Sequence, residues 1–305
     1  AVVLVLFALG SSVLDGPVSQ GIIHGLKVTA VAIIAHAVWG MARSLCPDPG
    51  RAGIALAAVF TVVLVSGPLG QVAAIVIGAM AGIVLCRAYV AVDVHDLPLP
   101  VSARVGHLVG LTFVALLFGL PLLAWISPTA ILAVMNAFYR AGALVFGGGH
   151  VVLPLLHNGV VENGWITEQD FLAGYGIAQA VPGPLFTFAA FLGTITTVGP
   201  NGILGATIVL LAIFLPGFLL LIGVLPFWNS LRQHAWAQAA MRGANAAVVG
   251  VLGAALYTPV FTSAITGPAT FTLALACFVL LTTWKRPPWT VVLVGALGGL
   301  LLALI

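Results

Sequence analysis

The sequence predicts an all-α polytopic membrane protein, arranged as an inverted-topology repeat with broken, re-entrant helices. Composition is the first reason. Of 305 residues, 62% are hydrophobic and 6% charged, with a mean hydropathy of +1.22. Soluble domains carry about 25% charged residues. Ten Lys and Arg with seven Asp and Glu could not cover a water-exposed surface, so lipid is the main solvent. The second reason is the length of the apolar runs. They are unbroken and often ~20 residues long, as spanning helices require, whereas barrel strands alternate in character over roughly ten residues. The third is the 36 glycines and 18 prolines, which suit the interrupted helices of transporters and channels.

Taken in order, apolar segments fall at roughly 1–14, 22–42, 52–66, 70–90, 105–126 and 128–146. They continue at roughly 149–161, 168–181, 184–198, 202–227, 238–262, 267–284 and 288–305. Four of them fall short of a span: 128–146 ends in FGGG, 149–161 is short, and VPGP splits 168–181 from 184–198. Short, Gly- or Pro-interrupted segments point to half-helices lining a site. The one long polar stretch is 87–104, with Arg87, Asp93, Asp96, Arg104 and two prolines; it reads as a linker. The formal charge of +3 gives no sign of a nucleic-acid partner. Cys46, Cys86 and Cys277 stand far apart, with no CxxC, and read as small buried hydrophobes.

An internal repeat is present. Gly25–Ala37 (GLKVTAVAIIAHA) matches Gly243–Ala255 (GANAAVVGVLGAA) at an offset of 218. Ile77–Gly82 (IGAMAG) matches Val294–Gly299 (VGALGG) at 217. Basic residues then orient the loops. Arg43 with Arg51, Arg87 with Arg104, Arg232 with Arg242, and Lys285 with Arg286 mark four basic loops, while 67–69 and 263–268 are uncharged. With the basic loops placed in the cytoplasm, the offset pairs basic 43–51 with uncharged 261–269. It likewise pairs uncharged 67–69 with basic Lys285–Pro288. Equivalent loops on opposite sides are the mark of an inverted repeat. The expected organisation is therefore 1–92 as the C-terminal part of a first repeat, 93–104 as a linker, and 105–305 as a second repeat. The first-repeat counterpart of 128–198 would precede Ala1, so most of the first repeat's motif region is expected to be missing.

The unusual residues concentrate in two stretches of the second repeat. Gly147, Gly148 and Gly149 let the backbone bend and approach a ligand, and a helix start after them offers N–H donors to an anion. Pro184 is expected in the first turn of the next half-helix, where its missing N–H costs nothing. His150 and Gln179 can donate to an oxyanion, Thr187 offers a hydroxyl, and Arg140 is an intramembrane cation or a side chain that snorkels to the interface. His150 reads either as a core histidine or as a proton carrier; Glu162 is the second proton-coupling candidate. His150 and His157 lack a third ligand at metal spacing, so neither metal nor cofactor is expected. His36 reads as packing or as a polar lining residue. Glu162, Glu168 and Asp170 read as an acidic hairpin that also caps the helix from 168. P-loop, GxSxG and HExxH patterns are absent, so an enzyme is not expected.

FGGGHVVLPLL (from Phe146), Trp165–Phe171, AQAVPGPLFTFAAFLG (ending at Gly193) and the LPG of Leu215–Gly217 together resemble the chromate ion transporter family. The resemblance covers the chain from 130 onward, and 1–100 looks like the tail of that family's first repeat. It implies a multi-pass protein of the bacterial inner membrane that exports chromate, a tetrahedral dianion like sulfate. The family motifs fall here on Phe146, Gly147, Gly148, Gly149, His150, Gln179, Pro182, Gly183 and Pro184. Two alternatives stand beside secondary transport: a channel-like uniporter of sulfate-type anions, and a membrane-embedded binding or scaffolding protein. Protons as coupling ion and a homodimer are both left open.

Overall fold

In the computed structural model the described residues are 1–11, 16–65, 67–86, 101–145, 149–181 and 183–304. They form helices α1 (Val2–Ser11), α2 (Pro17–Leu45), α3 (Pro49–Leu64), α4 (Pro68–Leu85), α5 (Ala103–Ile126) and α6 (Ala130–Ala143). Then follow α7 (Val152–Leu156), α8 (Glu168–Ala180), α9 (Phe188–Ile195), α10 (Gly202–Val224), α11 (Trp228–Gln233), α12 (Ala235–Ala255), α13 (Thr262–Ala264), α14 (Pro268–Thr282) and α15 (Pro288–Leu304). Among the described residues, five helical stretches are long and apolar enough to span a bilayer: Val18–Leu45, Pro68–Leu85, Ala103–Ile126, Gly202–Phe227 and Ala235–Ala264. The side chains facing outward are themselves apolar. On α5 only Gly106 and Leu120 are buried, while Leu108, Leu111, Phe118 and Leu122 are exposed. Such a face is stable in lipid and not in water. The chain is an all-α, multi-pass membrane protein.

Prolines and caps set the element starts. Pro49, Pro68 and Pro268 stand in the first turn of α3, α4 and α14, where a missing N–H removes no hydrogen bond. Asp48 caps α3 by accepting from the Arg51 N–H at 2.9 Å and pairs with the Arg51 guanidinium at 2.6 Å. The Arg51 N–H and guanidinium hold the Asp48 carboxyl below the usual carboxylate range. The expected linker is outside the described residues up to 100; by Ala103 the chain is already helical, because the Ser102 hydroxyl accepts from the Val105 N–H. The segment 238–262 is not one regular helix: Thr258 leaves helical geometry ahead of Pro259, whose ring clashes with the preceding turn and whose N–H is missing.

The helices gather into two compact units, each drawn from three or two stretches of chain. Unit 1 comprises 1–41, 157–210 and 252–305; unit 2 comprises 42–156 and 211–251. In unit 1, α2 crosses α15 backbone to backbone. A Cβ on Gly25 would strike the Gly295 carbonyl and Gly299, and one on Gly299 would strike the Gly21 carbonyl and Gly25. In unit 2, α12 crosses α4 in the same way. A Cβ on Gly243 would strike the Gly78 carbonyl and Gly82, and one on Gly82 would strike the Ala239 carbonyl and Gly243. The segments matched in the sequence are thus the contacting segments, and each crossing takes one helix from either half of the chain. Around them, Ile54, Ala58, Ala74, Ala246, Ala247 and Val251 fill the unit 2 core. Leu26, Ile33, Cys277, Leu281, Val291 and Val292 fill that of unit 1. Small residues at such seams permit the close approach that drives helix association in lipid.

Candidate functional site

The motif residues divide between the units. In unit 2, α6 carries Arg140 in its last turn, half-buried, where a cation also favours the helix dipole. The apolar face of α6 fixes its placement. Tyr139 is buried and its hydroxyl donates to the Phe113 carbonyl at 3.1 Å, and Gly142 lies against the Ile213 carbonyl and Pro216. Phe146, Gly147 and Gly148 lie outside the described residues. The chain continues as a single turn, Gly149–Val151, and then α7, whose five residues are all buried. Gly149 is exposed and His150 half-buried.

Two polar groups of unit 2 were not singled out from the sequence. Asn136 precedes Arg140 by one turn on the same face of α6, and its side-chain oxygen is buried without a partner among the described residues. Gln71 is buried on α4 and donates through Nε2 to the Pro154 carbonyl at 3.3 Å, with its own Oε1 unpartnered among the described residues. Gln71 therefore ties α4 to the short helix that follows the glycine run. Its signal in the sequence was a lone amide in the apolar stretch 68–85.

In unit 1, α8 and α9 form a broken pair around Val181–Pro184. Thr167 caps α8, accepting from the Asp170 N–H at 3.1 Å, and Glu168 and Asp170 occupy its first turn. The cap is thus Thr167 and not an acidic side chain, and Glu162 is exposed ahead of it. At the other end Val181 turns extended and Gly183 adopts φ +149°, a conformation costly for any residue with a Cβ. Pro182 is outside the described residues. Pro184 stands as the N-cap of the next turn, Leu185–Thr187, and not within its first turn as expected; its extended ψ of 135° ends the loop. The Thr187 hydroxyl donates to the Pro184 carbonyl at 2.8 Å, so it closes the turn and would have to leave that carbonyl to donate to an oxyanion.

Beneath this break the aromatic rings interlock. Phe171 and Tyr175 of α8 meet Phe188 edge-on at 5.2 and 5.8 Å, and Phe191 packs against Gly174. All four rings are buried, so they hold the two short helices as one piece. Gln179 is one turn beyond Tyr175, within hydrogen-bonding reach of its hydroxyl. The Gln179 Nε2 is buried with no partner among the described residues. An unpaired amide donor in an apolar surround is costly, and an anion seated at the break would satisfy it. His157 packs its ring on Phe171 at 5.4 Å, with Nε2 unpartnered among the described residues. His36 is exposed on α2, so it is not a core packing residue.

The region from α6 to the end of α15 carries the decisive likeness. Residues 132–300, more than half of the chain, match the family model described as chromate transporter. The chain belongs to the chromate transporter family. It is 34% identical over 204 residues to a probable chromate transport protein of Synechococcus elongatus, covering 65% of this chain and 49% of that protein. It is 30% identical over 142 residues to the chromate transport protein of Pseudomonas aeruginosa, covering 43% of this chain and 33% of the relative. An uncharacterized transporter of Bacillus subtilis, YwrB, is 39% identical over 118 residues, covering 38% of this chain and 57% of its own length. The chain thus spans about half or less of the length of the chromate transport relatives it matches. No solved structure matches it.

Proposed function

We propose that this member of the family is a secondary transporter that exports chromate, and not an enzyme. The two broken segments would form re-entrant hairpins, 128–160 and 168–198, each with a tip suited to a tetrahedral dianion. Arg140, Phe146, Gly147, Gly148, Gly149 and His150 would line one tip, and Gln179, Pro182, Gly183, Pro184 and Thr187 the other. The observation that carries this assignment is the buried Gln179 Nε2, without a partner among the described residues, one turn before a glycine in left-handed geometry. A dianion arriving there loses water and gains oriented donors, because a helix start leaves N–H groups without intrahelical acceptors. Export is driven in part by the inside-negative potential, worth about 2.3 kcal/mol per charge per 100 mV. His150 and Glu162 are the proposed proton carriers. The division into repeats at 1–92 and 105–305, inverted in the membrane, is supported by the equal contacts at the two glycine crossings.

The test is chromate efflux from preloaded cells. Arg140→Ala and Gly148→Leu are expected to abolish efflux while leaving the amount of protein in the membrane unchanged. Normal chromate resistance in both variants contradicts the site. Cysteine-accessibility labelling that places 43–51 and 261–269 on one face of the membrane contradicts the inversion.

A further inference from the structure

One end of the α2–α15 crossing in unit 1 opens into a cavity of about 540 Å³ that the motif residues do not touch. Its wall is part apolar and part polar, and the polar side chains include Gln20, His24 and Lys27 from α2, Gln169 from α8, and Thr266 ahead of α14. Lys27 falls within the spanning stretch Val18–Leu45, and an ionisable residue there is costly unless it serves a purpose. The Lys27 ammonium is in no ion pair among the described residues. Glu168, at the start of α8, is the carboxylate that acts on it through space.

The equivalent place in unit 2 is occupied by different side chains. At the repeat offset Gln20, His24 and Lys27 correspond to Gln238, Arg242 and Asn245, and Ala303 of the cavity wall corresponds to Cys86. There Arg242 donates to the Cys86 carbonyl at 3.2 Å and to the Gln238 side-chain oxygen at 3.0 Å. A guanidinium thus fills the space that the shorter imidazole of His24 leaves open. In unit 1 the positive charge sits one turn further along the helix, at Lys27, and faces the opening instead of a carbonyl. The cavity and the broken pair share helix α8. Gln169 lines it at the start of α8, and Gln179 lies near the other end of that helix. At 1.5 Å per residue this is about 15 Å. Leu26 packs its carbonyl against Gly176 between the two.

We propose that this chamber is a second anion site, in which the Lys27 ammonium and the Gln20 and Gln169 amides hold a tetrahedral dianion at the far end of α8 from the Pro182–Pro184 break. As an anion site it stands on its own; as a waiting position on the path it rests on the oxyanion-transport reading. The test uses the full chain with Cys46, Cys86 and Cys277 changed to Ser and Ala269→Cys added on the chamber wall. The rate of modification by a neutral thiosulfonate is measured with and without sulfate, since chromate would itself oxidise the thiol. Sulfate is expected to slow the reaction, and chloride at equal ionic strength is expected not to. Lys27→Met should raise the sulfate concentration needed by about tenfold or more, the size of a lost charge-assisted hydrogen bond. Lys27→Arg should keep the protection. Labelling indifferent to sulfate, or equal protection in Lys27→Met, overturns the proposal. Chromate flux by the Lys27→Met protein separates the two readings. Protection lost with flux intact overturns the waiting position and keeps the anion site. Protection kept in the parent protein with no chromate flux supports the site and defeats the transport reading.

Discussion

The two glycine crossings are alike in their seams and unlike at their ends. Gly25 against Gly295 and Gly299, and Gly243 against Gly78 and Gly82, bring helix backbones together with the same neighbours at the same spacing. At the end of one seam an arginine is bonded to a carbonyl; at the end of the other a lysine faces an open, partly polar chamber. The seam tolerates almost no change, because any side chain meets backbone. The residues one or two turns away are free to differ, and there one frame has acquired a plug and the other a cavity.

The largest expected effect breaks the seam. Gly25→Leu and Gly243→Leu should each prevent recovery of monodisperse protein in detergent. The cost lies at or above the upper end of the roughly 1–3 kcal/mol of ordinary overpacking, since a backbone carbonyl cannot turn aside. Gly217, with nothing near a built Cβ, serves as the control: Gly217→Ala should fold normally. A Gly243→Leu protein that folds would show that the crossings are not equivalent. Next comes the end of the seam. Arg242→Met should lower thermal stability by about 1.5–3 kcal/mol, the range for hydrogen bonds to a charged group. His24→Met, beside an open cavity, should cost clearly less; equal losses would remove the plug-and-cavity distinction.

A smaller difference lies within the seam itself. Thr29 packs on Gly295 where Ala247 packs on Gly78, and the Thr29 hydroxyl donates to the Gly25 carbonyl at 2.9 Å. Thr29→Ala should cost about 0.5–1.5 kcal/mol in a melting experiment, and an unchanged melting temperature would show that this bond does not distinguish the seams. The smallest effect is at the start of α3. Asp48 has its carboxyl held below the usual range by Arg51. Its contribution is therefore present above the unfolded-state value and is lost as pH falls through the lower folded one. Asp48→Asn should lower the melting temperature slightly at neutral pH, and the difference from the parent should vanish under strongly acidic conditions.

Much of this frame was legible in the sequence because lipid leaves few choices. Apolar runs gave the helices, and the starts read at 52, 70 and 267 fall within a few residues of Pro49, Pro68 and Pro268, where α3, α4 and α14 begin. The breaks at FGGG and VPGP were visible because glycine and proline have few other uses in a span. The matched segments are rich in small residues because each lies at a close backbone contact, which admits little else. What was not legible depends on pairing in space. Lys27 looked like one basic residue in an apolar helix until α8, α14 and α15 were set around it. Asn136 and Gln71 are single amides whose burial only packing shows. Pro259 was in view within 238–262, and its ring and missing N–H account for the departure of Thr258 from helical geometry. The interleaving of 1–41 with 157–210 and 252–305 has no local signature.

The most direct test of the transport reading is chromate accumulation by inside-out membrane vesicles bearing this chain, measured beside vesicles bearing Gln179→Leu at equal protein. The expected result is uptake above that of empty vesicles for the parent chain, falling by about tenfold or more in the variant, as loss of a donor to a bound dianion requires. Uptake by the parent chain no greater than by empty vesicles, or equal uptake by parent and variant, would contradict it.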